Sequence, residues 1–528
     1  MIKNTSALAE DFYLKSQHLY INHYIYITMV MQTIQIRLTR GLVEEIKKLV
    51  DRGIYPNSSE CVRDAVRRLI TGAGGKMEVP KEAVKVQEKI QEEIKEKLQR
   101  AKGTRDFLPE NQIIREEIIN VLRETFELFG YSPLETPILE RFDILSAKYA
   151  GGAEILKETF KLKDQGGREL GLRYDLTVPL ARVVGMNPQL KMPFKRYQVG
   201  EVFRDGPISL GRYRQFIQCD ADIIGCKEIT ADAECINMVS TAFKKLGFDI
   251  EVKLNNRKIL NKLLETLGVD KEKIDTVILS IDKLEKFGKE AVADELREKG
   301  IADKTVNSIM EAITIVGSDK EKLRKLKRII GDCEGFDETK ELIELLNIQK
   351  IDFILDVSLS RGLTYYTGTI FETFIKNSSI KSSVCSGGRW DKMIGQFLGK
   401  GEYPAIGISF GVDRIYDAVV EKEKPKIKTV TSVFVIPVGK TREECIKICE
   451  ETRKARINTD MDLVGRGISK NLNYANSLGI PFVLFVGEDE LKQNKVKLKD
   501  MESGKEQLIS LKSAIAQIRK NISRLFYT

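Results

Sequence analysis

The chain has 528 residues, of which 42% are hydrophobic and 31% are charged, and its formal net charge is +9. This length predicts roughly three or four domains rather than a single core, and the positive charge suits a polyanionic partner. The eight cysteines form no CxxC pair, which indicates neither a zinc knuckle nor a disulfide framework and favours a reducing cytoplasm. The only histidines are His18 and His23, so Ser-His-Asp and Cys-His catalysis are excluded from the body of the chain.

Residues 1–30 form an N-terminal extension. Their apolar run, residues 19–30, is too short and too polar for a transmembrane helix, and the small-residue cleavage site of a signal peptide is missing. We therefore expect no membrane association. The segment is interpreted either as a disordered extension or as sequence that precedes a more natural start at Met29 or Met31.

Residues 31–72 form a separate small unit. A strand with one buried face is predicted by the alternation of two sets of side chains, the apolar Ile34, Ile36 and Leu38 and the polar Thr33, Gln35 and Arg37. An amphipathic helix is predicted over residues 42–51 and ends at Gly53. A second helix, capped by Asn57 or Ser58, is predicted to reach residue 70.

The order strand, helix, turn, helix, with the run GIYPNSSECVRDAVRRLI, resembles the ribbon-helix-helix family of DNA-binding dimers. The resemblance implies that the strand pairs with a second chain, since it cannot be stable alone. It also implies that Thr33, Gln35 and Arg37 enter the major groove of DNA. The alternative is a dimerisation unit that reads no sequence.

The composition of the remaining chain and the spacing of its apolar residues predict four further regions. They are a helical linker over 73–100, a mixed α/β domain in two parts over 101–251 and 346–424, a helical insertion between those parts over 252–345, and a C-terminal α/β domain over 425–528.

Four arginines are concentrated around two predicted strands, residues 197–203 and 215–224, namely Arg196, Arg204, Arg212 and Arg214. Arginine is costly to bury without an anionic partner, and its planar fork matches phosphate oxygens. The pattern therefore predicts a polyphosphate site at the connecting loop. Gln218, Asp220 and Asp222 follow on the second strand and could take a small cationic or amino group. The alternative is that these arginines simply pair with surface carboxylates.

Several motifs in the right order resemble the class II aminoacyl-tRNA synthetases, and specifically the histidyl-tRNA synthetase family. They are KGTRDFLPE from 102, LETPILE around Pro137, LRYDLTVPLAR from 172, FRDGPISLGRYRQF from 203, SLSRGLTYYTG up to Gly368, SGGRWD up to Asp391, and GISFGVDRI up to Ile415. The third of these resembles the archaeal and eukaryotic version. The resemblance implies an α/β (α+β) fold: an antiparallel-sheet catalytic domain with the helical insertion and a C-terminal anticodon-binding domain, here preceded by the ribbon-helix-helix unit.

Three positions depart from the family's pattern. Asp205 and Gly206 follow Arg204 where most class II enzymes have x-Glu, which puts the usual contact to the adenine amino group in doubt. Thr364 stands where aspartate is usual, and Trp390 where tyrosine is usual. None of these changes removes an arginine or the tyrosine pair.

The resemblance implies a histidine–tRNA ligase that activates L-histidine with ATP to histidyl-adenylate and transfers it to tRNA(His). ATP with Mg²⁺ enters as substrate, and neither a tightly bound cofactor nor a protein metal site is expected. Arg204 and Arg361 would be the catalytic residues, holding the α-phosphate and the substrate carboxylate from opposite sides. Arg212 and Arg414, with Arg204, would bind ATP.

The resemblance also assigns the histidine-binding residues. Asp175, Thr177 and Gln218 match positions that hold the α-amino group, and Asp222 and Tyr366, with Tyr365 beside it, match positions that meet the two imidazole nitrogens. In the C-terminal domain, Arg466 and Lys470 are candidates for contacts to the RNA backbone.

The expected partners are tRNA(His), L-histidine, ATP and a second copy of the chain in a homodimer, with DNA or further RNA contacted through residues 31–72. Two other functions stay open. One is a catalytically inactive, synthetase-like regulatory or RNA-sensing paralogue; the other is a DNA-binding regulator that acts through the N-terminal unit.

Overall fold

The computed structural model describes residues 24–29, 32–71, 89, 91–92, 98–147, 156–209, 211–362, 365–422 and 428–525. The chain divides into two compact units, Met1–Lys102 and Gly103–Thr528. Both histidines and most of the predicted helical linker lie outside the described residues.

The first unit contains a β-hairpin and two helices. Its elements are β1 (Tyr24–Met29), β2 (Gln32–Arg37), α1 (Arg40–Asp51) and α2 (Ser58–Thr71). Helix α2 starts where the sequence predicts, because the side chain of Asn57 accepts a hydrogen bond of 2.9 Å from the backbone N–H of Glu60. Apolar residues of α1 and α2, among them Ile46 and Val62, form the core of this unit.

The pairing of the predicted strand differs from the expectation. Strand β2 pairs in antiparallel register with β1 of the same chain, with Ile36 opposite Ile25. The expectation that this strand needs a second chain is therefore wrong, and so is the interpretation of residues 24–29 as a disordered extension. The physical requirement, a partner for the backbone N–H and C=O groups, is met within the chain.

The second unit is built on an eight-stranded sheet in the order β10-β9-β11-β12-β13-β8-β7-β3, with parallel pairs only at its two ends. Its strands are β3 (Ser132–Pro133), β7 (Phe194–Phe203), β8 (Gln215–Ile224), β9 (Ile250–Asn256), β10 (Ile354–Leu355), β11 (Thr369–Ile375), β12 (Cys385–Arg389) and β13 (Ala405–Gly411). A small sheet beside it contains β4 (Leu139–Arg141), β5 (Lys161–Lys163) and β6 (Glu169–Leu172). The helices before and after the insertion are α3 (Pro109–Leu128), α4 (Phe142–Leu145), α5 (Thr177–Met186), α6 (Thr230–Lys245), α13 (Met393–Leu398) and α14 (Val412–Lys422).

The large sheet separates an apolar face from a polar one. On β8, Cys219, Ala221 and Ile223 belong to the main core, which also contains apolar side chains of α3, α6 and α14. Because side chains alternate along a strand, Gln218 and Asp222 project to the opposite face. The same alternation applies to β13 and β11, so one face of the sheet is packed by helices and the other is left for polar groups.

The helical insertion follows β9 and precedes β10. Its helices are α7 (Arg257–Thr266), α8 (Ile274–Ile281), α9 (Leu284–Glu298), α10 (Asp303–Ile313), α11 (Asp319–Ile330) and α12 (Glu334–Ile348). The predicted start at residue 252 falls inside β9, whose apolar Val252 and Leu254 pack into the sheet's core. The insertion starts sharply because the Asn256 side chain caps α7, accepting a hydrogen bond from the N–H of Lys258.

The C-terminal part forms a five-stranded sheet in the order β15-β14-β16-β17-β18. Its elements are β14 (Val433–Val438), α15 (Arg442–Lys454), β15 (Thr459–Met461), α16 (Ile468–Ser477), β16 (Phe482–Gly487), α17 (Glu488–Lys492), β17 (Val496–Asp500), β18 (Glu506–Ile509) and α18 (Leu511–Leu525). Strands β14 and β16 are almost fully buried and lie side by side in parallel, as their continuous apolar runs predict. Across the described part of the chain, no helix combines the length and the apolarity that crossing a membrane requires.

Candidate active site

The polar face of the eight-stranded sheet carries a cavity of about 520 Å³. All ten side chains assigned to the site from the sequence line it: Asp175, Thr177, Arg204, Arg212, Gln218, Asp222, Arg361, Tyr365, Tyr366 and Arg414. They come from segments almost 240 residues apart in the chain. The fold therefore gathers in one place residues that the sequence lists separately.

Arg204 and Arg361 reach the cavity from segments far apart in the chain. Arg204 directly follows β7; its Nε donates to the Tyr174 carbonyl oxygen at 3.1 Å, and burial lowers the pKa of its guanidinium. Arg361 lies in the left-handed region, with φ of +57°, and its Nη1 is 3.1 Å from Oε1 of Glu372. Burial alone would lower the pKa of Arg361, but Tyr366 and Glu372 outweigh it and raise that pKa, so this group stays charged.

Arg414 and Arg212 lie at the same end of the cavity. Arg414 is fixed by two backbone carbonyl groups, because its Nε donates to Gly211 O at 3.1 Å and its Nη1 to Ser383 O at 2.6 Å. Arg212 is more exposed and pairs with Glu158 at 2.8 Å. The pKa of Arg414 is lowered first by burial and then by Arg204, with further contributions from Arg361 and Arg212. Four cations thus repel one another here, and an anionic ligand would relieve that repulsion.

Arg196 and Arg214 do not line the cavity, which corrects the expectation that all four clustered arginines serve a polyphosphate. Arg196 is fully buried and its Nη2 lies 2.7 Å from Oδ2 of Asp222. Arg214 pairs with Asp205 at 3.1 Å, as the alternative of ordinary carboxylate pairing describes. Arg196 lies within β7, directly opposite Asp222 on β8. Arg214 comes directly before β8.

Acidic and amide groups form the floor of the cavity. Gln218, Asp220 and Asp222 occupy alternate positions of β8, and Gln218 donates to Ser409 Oγ at 2.6 Å. Asp175 lies two residues before α5 and accepts a hydrogen bond of 3.0 Å from the N–H of Val178 in its first turn. Burial raises the pKa of Asp175 to about 6, of Asp220 to about 7 and of Asp222 to about 6.

Two tyrosines and two glycines also line the cavity. The rings of Tyr365 and Tyr366 lie 4.8 Å apart between centroids, and burial raises the pKa of both phenols, which therefore stay neutral. Gly407 lies opposite Asp222 across the sheet, and Gly388 lies opposite Gly407. A Cβ atom at Gly407 would be 1.9 Å from Asp222 Oδ1, and one at Gly388 would be 2.8 Å from the Tyr366 ring. The glycines leave a flat floor between the acid and the phenol.

Four acidic residues that the sequence analysis did not assign also line the cavity: Glu158, Asp282, Glu372 and Asp413. Glu372 could have been assigned from the sequence, because it follows Phe371, a core residue, on β11 and so projects to the opposite face of the sheet. Asp282 follows α8 of the insertion and lies beside Gly362, a proximity that no local pattern indicates.

The fold and the site together define a class II aminoacyl-tRNA synthetase: a largely antiparallel sheet with arginines on its polar face, followed by a separate α/β domain. The family described as histidyl-tRNA synthetase matches residues 103–415, and the one described as anticodon binding domain matches residues 432–521. The chain belongs to the histidyl-tRNA synthetase family.

Known relatives are similar over most of the chain. "Histidine--tRNA ligase 1" of Bacillus cereus is 44% identical over 423 residues, which cover 79% of this chain and 98% of the relative. "Histidine--tRNA ligase" of Clostridium tetani is 38% identical over 431 residues, covering 79% and 97%. The crystal structure of histidyl-tRNA synthetase from Nostoc sp. superposes with a TM-score of 0.71 at 28% identity, covering 80% of this chain and 99% of that one. These relatives are bacterial, so the archaeal and eukaryotic likeness expected from LRYDLTVPLAR is not supported.

Proposed function

We propose that this chain is a histidine–tRNA ligase, which activates L-histidine with ATP and transfers the histidyl group to tRNA(His). One observation carries the proposal. Four arginines line a single cavity together with Asp222 and Tyr366, which flank a glycine floor, and the Arg361 guanidinium lies 5.5 Å from the Tyr366 ring centroid. The likeness to the Bacillus cereus ligase over most of the chain supports the same conclusion.

The first step needs charge stabilisation rather than proton transfer. A carboxylate oxygen of histidine attacks the α-phosphorus of ATP, the bond to the β-phosphate oxygen breaks, and pyrophosphate leaves. Negative charge builds up on the phosphate oxygens, and fixed cations can stabilise it without a general base. Arg204 and Arg361 are the catalytic residues in this proposal, and the raised pKa of Arg361 keeps it charged for this role.

Arg212 and Arg414 would hold the β- and γ-phosphates, together with Arg204. The mutual repulsion that lowers the pKa of Arg414 supports this assignment, since a polyphosphate would offset it. Mg²⁺ would enter with ATP as part of the substrate.

The histidine substrate would lie across the glycine floor. Asp175, Thr177 and Gln218 would hold the α-amino group. Asp222 would accept the N–H of the imidazole ring, while Tyr366, with Tyr365 beside it, would donate to the other ring nitrogen. One acceptor and one donor match the neutral imidazole ring, which has one N–H and one lone pair.

The tRNA would be bound partly by residues 432–521. Arg466 is favourably placed for RNA, because its guanidinium lies 4.4 Å from the Tyr474 ring centroid, and Lys470 is on the neighbouring helix α16. In the second step a ribose hydroxyl at the end of the tRNA would displace AMP from the adenylate and form the ester.

The unit Met1–Lys102 is proposed to reinforce a homodimer of this chain or to add affinity for tRNA. The sequence pattern of residues 31–72 resembles that of ribbon-helix-helix dimers, and DNA is the second ligand proposed for this unit on that ground alone. Retarded migration of duplex DNA by the full-length chain at low salt would favour DNA. Unretarded DNA, with a tRNA affinity that depends on this unit, would favour tRNA.

The deciding experiment is histidine-dependent exchange of labelled pyrophosphate into ATP. The ligase should show exchange with L-histidine and lose it when histidine is replaced by other amino acids. Arg361→Met, which keeps an unbranched side chain of similar reach, should abolish most of the exchange. A folded chain that binds ATP and histidine but shows no exchange would instead be an inactive, regulatory paralogue.

A further inference from the structure

Arg196 is a buried cation that forms an ion pair with Asp222 and also acts to lower the pKa of Asp220. It lies on β7 directly opposite Asp222 on β8, and it has no exposed surface. Its Nη2 is 2.7 Å from Asp222 Oδ2 and donates to the Leu176 carbonyl oxygen at 3.4 Å. Within the described residues, its Nε and Nη1 have no hydrogen-bond partner. A buried guanidinium is expensive unless its groups are satisfied, so stability alone does not account for an arginine at this position.

Trp390 contacts the same carboxylate from another strand end. It follows β12, is 2% exposed, and donates a side-chain hydrogen bond to Asp222. It is also the only tryptophan of the chain. Gly407 lies opposite Asp222 on β13 and has no side chain, so Asp222 can lie close to the backbone of that strand. Asp222 is therefore held by a cation and by an indole N–H, and it still lines the cavity.

These two contacts act against the effect of burial on Asp222. Burial favours the neutral acid and raises its pKa to about 6, whereas Arg196 and the Trp390 hydrogen bond favour the carboxylate. The nearby titratable groups on other elements and on β8 itself are Asp175, Asp220 and Cys235. Asp222 raises the pKa of both aspartates, and Arg196 is the cation that favours the ionised form of Asp222.

We propose that Arg196 is a positioning residue which, together with Trp390, keeps Asp222 ionised and correctly oriented to accept the N–H of the substrate's imidazole ring. Arg196 touches neither substrate nor cavity and acts only through Asp222. The inference rests on the proposed function, because it assigns Asp222 to the ring of histidine. It adds that the preference for the neutral imidazole ring of histidine depends on Arg196, which does not line the cavity.

The kinetic test compares Arg196→Met and Arg196→Lys with the wild-type chain in the pyrophosphate exchange assay. Arg196→Met should raise the KM for histidine roughly tenfold to a hundredfold, the factor that a charge-assisted hydrogen bond is worth. The KM for ATP should change less than about twofold. Arg196→Lys, which restores the charge, should recover part of the histidine affinity. A control is Arg182→Met, which breaks another largely buried pair, with Glu140 at 2.6 Å, away from the cavity.

The outcomes separate the inference from the proposed function. Wild-type chain without histidine-dependent exchange would overturn the function itself. The wild-type chain could be active while Arg196→Met raises the KM values for histidine and ATP equally, or raises neither. That result would overturn the inference and leave the function standing. Should Arg196→Met not fold, Trp390→Phe carries the same test. It removes only a neutral donor, so it should raise the histidine KM about twofold to tenfold.

The tryptophan supplies a second readout in the absence of substrate. Trp390 emission should change as Asp222 titrates, near pH 6 in the wild-type chain. In Arg196→Lys the transition should stay close to that pH, and in Arg196→Met it should move to higher pH. Asp222→Asn should abolish it. Equal midpoints in the wild-type and Arg196→Met chains would contradict the proposal, since a merely structural arginine would not move them.

Discussion

Gly407→Ala adds a single methyl group at the centre of the proposed histidine pocket. Gly407 lies opposite Asp222 on the neighbouring strand, on the face that carries the cavity. The new Cβ would be 1.9 Å from Asp222 Oδ1 and 3.3 Å from Trp390 Nε1. Because the glycine is inside a paired strand, the backbone cannot move away without breaking the ladder, so the carboxylate has to move.

The size of the effect follows from that distance. A carbon and an oxygen in contact stay more than about 3 Å apart, so Asp222 must shift by more than about 1 Å. A displacement of about 1 Å in a positioning group can cost about a hundredfold in rate or affinity, or about 2.7 kcal/mol. We expect the KM for histidine to rise by about this factor. The KM for ATP should stay close to the wild-type value, because the atoms nearest to the new Cβ belong to Asp222 and Trp390 and not to the arginines of the cavity.

The measurement is pyrophosphate exchange with histidine and ATP varied in turn. Gly411→Ala is the matched control, since Gly411 is on the same strand and face, and its Cβ would have only ordinary contacts, 3.7 Å from Arg414 Cδ and Val384 O. The control should keep a near-wild-type KM for histidine. A Gly407→Ala chain that folds and binds histidine as tightly as the wild type would refute the assignment of Asp222 to the imidazole ring.

Three further predictions concern charge, pH and the N-terminal unit. Arg361→Met should lower kcat for exchange by about 10²- to 10³-fold, because a fixed cation is lost where charge develops; an unchanged kcat would exclude a catalytic role. Asp175 and Asp222 have pKa values of about 6 and lose their charge as the pH falls from 7 to 5. The KM for histidine should therefore rise over this range more steeply than ionisation of the free amino acid explains. A KM that follows only the ionisation of free histidine would contradict this. Deleting residues 1–102 should weaken dimerisation, seen by sedimentation, or raise the KM for tRNA in aminoacylation; if both stay unchanged, the role proposed for this unit is wrong.

Local sequence patterns were sufficient for most elements and for the membership of the site. Strand β8 has the predicted bounds, and β7 begins only three residues earlier than predicted. Asn57 caps α2, as its spacing from Glu60 predicts. The ten assigned side chains could be identified because each belongs to a motif whose residues are neighbours in the chain, and the fold brings those motifs to one cavity. Their roles at that cavity remain predictions.

The sequence did not reveal which arginines line the cavity and which lie outside it. Arg196 and Arg204 are eight residues apart on or next to the same strand, yet one is buried against Asp222 and the other borders the cavity. The same limit applies to β2, whose apolar alternation predicts a strand but not its partner, β1.

Composition, periodicity and the motifs that resemble a known family predicted the class of fold, the helical insertion and the ten residues that line the cavity, because those signals are carried by residues close together in the chain. The tertiary structure alone decided that Arg196 supports Asp222, that Asp282 reaches the cavity from the insertion and that Gly407 must lack a side chain. Each of these depends on strand register and on distances between segments far apart in sequence, which local preferences do not fix.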